Sequence, residues 1–177
     1  MRWLWLVGLL GCSGNNDSDG SAPGDDDDDD VSTDLTPWEE LVTSQADGCC
    51  HTVKEVFEWT TVDHEGLPAT WAVPENPVGA VVVFHGTNGV MDTIKQTDWI
   101  ELYNLLYPRG IAIIGTVSSD RDAKQWDLSE GNSNVDYPRV ETLLARVADE
   151  TAFDLDLPLV GVGFSQGCSF TTLFAEL

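Results

Sequence analysis

Gly163-x-Ser165-x-Gly167 is the place where residue types and spacing in this sequence could do chemistry. An apolar run over residues 158–164 leads into it and an apolar helical run follows. The segment therefore reads as a buried strand, a sharp turn carrying one serine, and the start of a helix. Glycines on both sides of the serine leave room for a strained turn that lifts its oxygen clear of the sheet. A serine presented in this way is a candidate nucleophile for acyl transfer. Its hydroxyl attacks poorly until a histidine accepts its proton and a carboxylate orients that histidine. Negative charge then grows on the attacked carbonyl oxygen, and fixed N–H donors must meet it. The competing reading is a Gly-rich β–α turn with an incidental serine. A second segment, His85-Gly86-Thr87-Asn88-Gly89, follows another apolar run and reads as a loop, with His85 supporting the turn through its ring.

These segments need elements to hold them. Residues 52–61 and 67–73 read as two strands, with Asp63-His64-Glu65-Gly66 as the turn of an antiparallel hairpin. Residues 79–84 form a continuous apolar run, as expected of a strand covered on both faces. Trp99, Leu102, Tyr103 and Leu106 mark one face of a helix capped by Thr97 or Asp98 and ended by Pro108 and Gly110. Residues 111–117 are the next buried strand. A polar loop over residues 118–136 leads to a second helix, with Asp136 as its cap and Val140, Leu143, Leu144, Val147 and Ala148 as its apolar face. Residues 159–164 are the third buried strand. This alternation predicts an α/β fold, a mostly parallel sheet with helices on both faces, preceded by the antiparallel hairpin. Trp99, Tyr103, Trp126 and Tyr137 could line a cleft, although aromatic residues at helical spacing are more often core. Cys168, one turn beyond the serine, reads as a small buried residue.

Taken in order, the hairpin, the strand ending in His85-Gly86, the alternating helices and strands, and Gly163-Phe164-Ser165-Gln166-Gly167 resemble the front part of the α/β-hydrolase family, over residues 52–177. The resemblance implies a serine esterase acting through a Ser165 acyl-enzyme on a small-molecule or polymeric ester. It also implies an oxyanion hole formed by the backbone N–H groups of Thr87 and Gln166. Residues 121–136, with Trp126, are similar to secreted polyester depolymerase-like and feruloyl-esterase-like members. Family order places the acid and then the histidine after the serine. After Ser165 the sequence holds only Glu176 as an acid, in the helix leaving the turn, and no histidine. The expectation is therefore an incomplete hydrolase domain, truncated after the elbow helix and inactive by itself; the alternative is a non-catalytic lipoprotein that keeps the fold as a binding module.

Charge and composition bound the partners. The protein has 177 residues and a formal net charge of -23. Nine of its 31 acidic residues precede residue 35, and the other 22 face seven bases in the remainder. Such a surface repels phosphate backbones, so no nucleic-acid partner is expected. No phosphate-binding glycine loop, haem motif or metal-ligand spacing occurs among Cys12, Cys49, Cys50, Cys168, His51, His64 and His85, so no cofactor is expected.

At the amino terminus, Met1-Arg2 and a short apolar run describe a secretory signal, too short to span a bilayer permanently. Leu9-Leu10-Gly11-Cys12 resembles a bacterial lipobox, which implies cleavage after residue 11, acylation of Cys12 and attachment to a membrane of the bacterial cell envelope. The alternative is an ordinary signal peptide with a chance cysteine. Residues 12–36, rich in Asp, Ser and Gly, read as an extended acidic tether. The domain then runs over residues 37–177, opening with a short helix over 37–48. Outside the cytosol, Cys49 and Cys50 could oxidise, more easily with a distant cysteine than with each other.

Overall fold

The computed structural model describes residues 53–175. The expectations for residues 1–52, including the signal, Cys12, the tether, the helix over 37–48, Cys49, Cys50 and His51, lie outside the described residues, as does Glu176. Within 53–175, five strands form one mixed sheet in the order β1-β2-β4-β3-β5. They are β1 (Thr60–His64), β2 (Leu67–Ala72), β3 (Gly79–Phe84), β4 (Ile111–Thr116) and β5 (Leu159–Gly163). β2 runs antiparallel to both β1 and β4, whereas β4, β3 and β5 are mutually parallel. The fold is thus the α/β arrangement expected, with the hairpin at one end.

The hairpin differs in detail from the expectation. β1 begins at Thr60, not residue 52, and His64 is its last residue, paired with Leu67. The turn is only Glu65-Gly66, both with positive φ (54° and 82°). That two-residue geometry matches the right-handed twist of the flanking strands, and the Asp63 carboxylate accepts the Gly66 N–H at 2.9 Å. β2 does not show the alternating exposure of a one-sided strand: residues 69–72 are all buried, because helices cover both faces of the sheet there.

The helices are α1 (Met91–Ile94), α2 (Thr97–Leu106), α3 (Asp136–Glu150) and α4 (Gln166–Ala175). α1 was hidden within a loop in the sequence. α2 starts after Gln96 without a side-chain cap and ends in a short 3₁₀ turn, with Gly110 at φ 81°. α3 is capped by Asn134 rather than Asp136. Asn134 Oδ1 accepts the N–H groups of Asp136 and Tyr137 at 2.9 and 3.0 Å, so the side chain two residues earlier satisfies the orphan donors.

Strand alternation divides the core into two layers. Ala80, Val82, Phe84, Ala112, Ile114 and Leu159 face Val140, Leu143, Val147, Phe170 and Phe174 of α3 and α4. Val81, Val83, Ile113 and Val162 face Ile94, Ile100 and Tyr103 of α1 and α2. Burying each large apolar side chain is worth roughly 1.5–3 kcal/mol, so the two layers hold β3 and β5 firmly where they end at the candidate site.

Candidate active site

The site is built at the carboxyl ends of β3, β4 and β5, where the loops leave the sheet. β5 passes through Phe164 and Ser165 directly into α4. Ser165 has φ 52°, a left-handed conformation that a side chain disfavours. The turn is closed by Gly167 N–H donating to the Phe164 carbonyl (2.9 Å) and Cys168 N–H to the Ser165 carbonyl (2.9 Å). Space explains the flanking glycines. A Cβ on Gly163 would strike the backbone of Gly167 and come within 2.6 Å of the Cys168 nitrogen. One on Gly167 would strike the Phe84 carbonyl and come within 2.7 Å of the His85 carbonyl oxygen. These neighbours are backbone and cannot rotate away. The serine side chain ends up exposed, and among the described residues no histidine or carboxylate is hydrogen-bonded to it.

β3 delivers His85 and Gly86 beside this turn: a Cβ on Gly86 would lie 3.3 Å from that of Ser165. His85 is buried and serves the loop, as its sequence position suggested. Its Nδ1 lies 2.7 Å from the Gly86 carbonyl and donates to it, while its Nε2 accepts the Ser118 N–H at 3.0 Å. The ring is therefore neutral. Burial, the largest influence, pulls its pKa below the ordinary histidine value and Arg121 adds to this, against the opposing Gly86 hydrogen bond. The Gly86 carbonyl also accepts the Gly89 N–H (3.0 Å), which closes the turn around Thr87. Thr87 is exposed at its tip. Gln166, at the first position of α4, has a backbone N–H without an acceptor inside the helix, and the helix N-terminus favours negative charge. The expected oxyanion-hole residues thus stand on two loops that touch.

A pocket of about 470 Å³ opens beside the turn, lined by Gly86, Thr87, Asn88, Gln96, Trp99 and Phe164 among others; Ser165 stands next to it rather than within its lining. Of the aromatic residues considered for a cleft, Trp99 lines this pocket, whereas Tyr103, Trp126 and Tyr137 are buried in the core. Cys168 is buried, and its thiol donates to the Gly163 carbonyl at 2.9 Å. His64 is buried on the hairpin against the Arg139 carbonyl and Thr142, apart from these loops. Among the described residues, no group of three or more His, Cys, Asp or Glu side chains is placed to hold a metal ion.

Sequence reasoning missed the third wall. The loop after β4 is fixed by Asp136, which is fully buried and accepts the Ser119 N–H (2.8 Å), the Ser119 hydroxyl (2.7 Å) and the Asp127 N–H (2.8 Å). Arg139 pairs with it at 3.5 Å and donates to Thr116 Oγ1 and the Val117 carbonyl. Trp126 emerges from this framework and stacks on Phe170, ring centroids 4.5 Å apart. A tryptophan in an otherwise polar loop, outside any periodic pattern, was the one available signal.

No protein-family profile matches the chain, and no curated protein matches it. Solved structures do. The S-formylglutathione hydrolase of Agrobacterium tumefaciens aligns with 13% identity and a TM-score of 0.51, over 66% of this chain and 51% of that one. An acetyl xylan esterase from Aspergillus awamori aligns with 18% identity and a TM-score of 0.48, over 62% of this chain and 43% of that one. With the strand order and elbow described above, the fold is α/β-hydrolase-like. The chain spans about half the length of the S-formylglutathione hydrolase it matches.

Proposed function

We propose that this chain carries the nucleophile and oxyanion hole of a serine hydrolase that cleaves carboxylic esters. The observation that carries the reading is Ser165 itself: a non-glycine residue held at φ 52° between two glycines, exposed, at the head of a helix and against the His85-Gly86-Thr87 loop. Strain of this kind persists only where the surrounding backbone enforces it, and it collects at functional turns. Ser165 Oγ attacks the ester carbonyl carbon and a base takes its proton. The carbonyl oxygen becomes an oxyanion facing the Thr87 and Gln166 N–H groups. Collapse expels the alcohol, which takes up that proton, and leaves an acyl-enzyme; water then attacks it by the same path and frees Ser165. Each oxyanion donor is worth about 3 kcal/mol of barrier.

The mechanism requires a histidine and a carboxylate from residues outside the described ones, and in this fold they follow the elbow in chain order. The lipobox-like Cys12 supports a lipid-anchored enzyme held at the cell envelope by the acidic tether. Incorporation of a radiolabelled fatty acid that persists in Cys12→Ala would remove the anchor. For the nucleophile, the full-length protein is treated with a fluorophosphonate probe and the adduct mapped. Labelling at Ser165, abolished in Ser165→Ala, is expected. Labelling that survives that substitution would remove the assignment, and a wild-type protein that never labels would favour a binding module built on the hydrolase fold.

A further inference from the structure

Trp126 joins the two halves of the candidate oxyanion hole, which lie on different strands' loops. Its indole N–H donates to the His85 carbonyl at 2.8 Å, at the root of the Thr87 loop. Its backbone N–H donates to Gln166 Oε1 at 3.0 Å, and its backbone carbonyl accepts from Gln166 Nε2 at 3.4 Å. One residue thus touches the loop that carries the first N–H donor and the side chain of the residue that carries the second. Its neighbour strengthens the link: the Lys124 carbonyl accepts the Asn88 N–H at 3.1 Å. Both Lys124 and Asn88 have positive φ (50° and 64°), so two strained residues meet across that bond. The ring of Trp126 is 2% exposed and packs against His85, Phe84 and Phe170, which leaves it no freedom to swing.

We infer that Trp126 and the Gln166 side chain are positioning residues that set the separation and aim of the two oxyanion donors. The inference rests on the hydrolase reading and assigns a role that the elbow pattern alone does not contain. The Gln166 side chain faces Trp126, so its backbone N–H is left for the reacting oxygen. Only a donor already aimed at the developing charge lowers the barrier, and misplacement by about 1 Å can cost on the order of a hundredfold. The acyl-transfer chemistry itself is unchanged: Trp126 touches no reacting atom.

Trp126→Phe keeps the ring stack and deletes the N–H donor to His85; Gln166→Met keeps the side-chain length and the backbone N–H but deletes both bonds to Trp126. In the full-length protein, each is expected to lower kcat on a soluble ester by about tenfold to a hundredfold with KM within about twofold. Affinity for a boronic acid that forms a tetrahedral adduct is expected to fall in parallel with kcat, whereas affinity for the product carboxylate stays. A purely structural role would lower the melting temperature without this split between tetrahedral and planar ligands. Fluorophosphonate labelling separates the two readings. Wild-type protein that labels at Ser165 while both variants label at the wild-type rate overturns the positioning role alone. Wild-type protein that never labels overturns the hydrolase reading, and this role with it.

Discussion

Replacing Ser165 by glycine and by alanine in parallel measures the strain at the elbow without needing any activity. At φ 52° a residue with a Cβ is disfavoured by about 1–2 kcal/mol, a cost that alanine keeps and glycine loses. Against this, glycine gains freedom in the unfolded chain worth roughly 0.4–1 kcal/mol. The hydroxyl makes no hydrogen bond among the described residues, so both variants lose the same small contribution. The glycine variant should therefore be the more stable by about 0.5–1 kcal/mol. Ser169 provides the control: it is exposed inside α4, where glycine should be the less stable by about 0.8–1 kcal/mol. The sign reverses within four residues. Equilibrium urea unfolding of the four variants reads this as midpoint shifts of a few tenths of a molar, since m is on the order of 2 kcal/mol/M. Alanine more stable than glycine at residue 165 would show that the turn stores no backbone strain, and the reading of the elbow would lose its main support.

Three further outcomes follow from the packing. Gly167→Ala forces a Cβ onto the Phe84 and His85 carbonyls, which sit at the end of a central strand, so a loss of about 3 kcal/mol or more is expected in urea unfolding. A near-neutral result would mean that β3 and α4 are further apart. Tyr103 is fully buried with a hydroxyl that finds no partner among the described residues, and burial raises its pKa; Tyr103→Phe should raise stability by about 1 kcal/mol, and destabilisation would reveal a hidden partner. His85 has its folded-state pKa lowered by burial, so the unfolded chain binds the proton first as pH falls. Stability from neutral His85 is therefore complete above about pH 6.5 and declines below it toward the folded-state pKa, at up to about 1.4 kcal/mol per pH unit. Comparison of the wild-type protein with His85→Gln by thermal melting between pH 7.5 and 5 isolates this slope, and parallel slopes would refute it.

The α/β architecture was legible because its signals are local. Residues 79–84 are apolar at every position, as are residues 111–115 before Thr116, and only a strand covered on both faces has a use for such runs. The α3 face at Val140, Leu143, Leu144 and Val147 shows the helical period, and all four are buried. The errors also have local causes. Residues 53–59 have the composition of a strand, but the ladder between β1 and β2 covers only Thr60–His64, opposite Trp71 back to Leu67, and residues 53–59 do not extend it. Asp136 looked like a cap because an acid precedes an apolar periodic segment. The structure uses its carboxylate to hold the loop before the helix and leaves capping to Asn134.

The candidate site divides along the same boundary. Gly163, Ser165 and Gly167 are spaced by a requirement of one short turn on its own backbone, so a five-residue pattern contains it. The pairing of Gln166 with Trp126 joins residues 40 positions apart, and that of Trp126 with His85 spans 41. Nothing local in the sequence specifies either contact, because both depend on β4 lying next to β3 and β3 next to β5. The crossover order brings three distant loops to one end of the sheet, and only there does a tryptophan in a polar segment acquire partners. A candidate nucleophile can therefore be read from a motif. On the proposed hydrolase reading, the alignment of the oxyanion donors is a property of strand order, and substitutions at Trp126 should accordingly reach the chemistry through His85 and Gln166 and not through the serine.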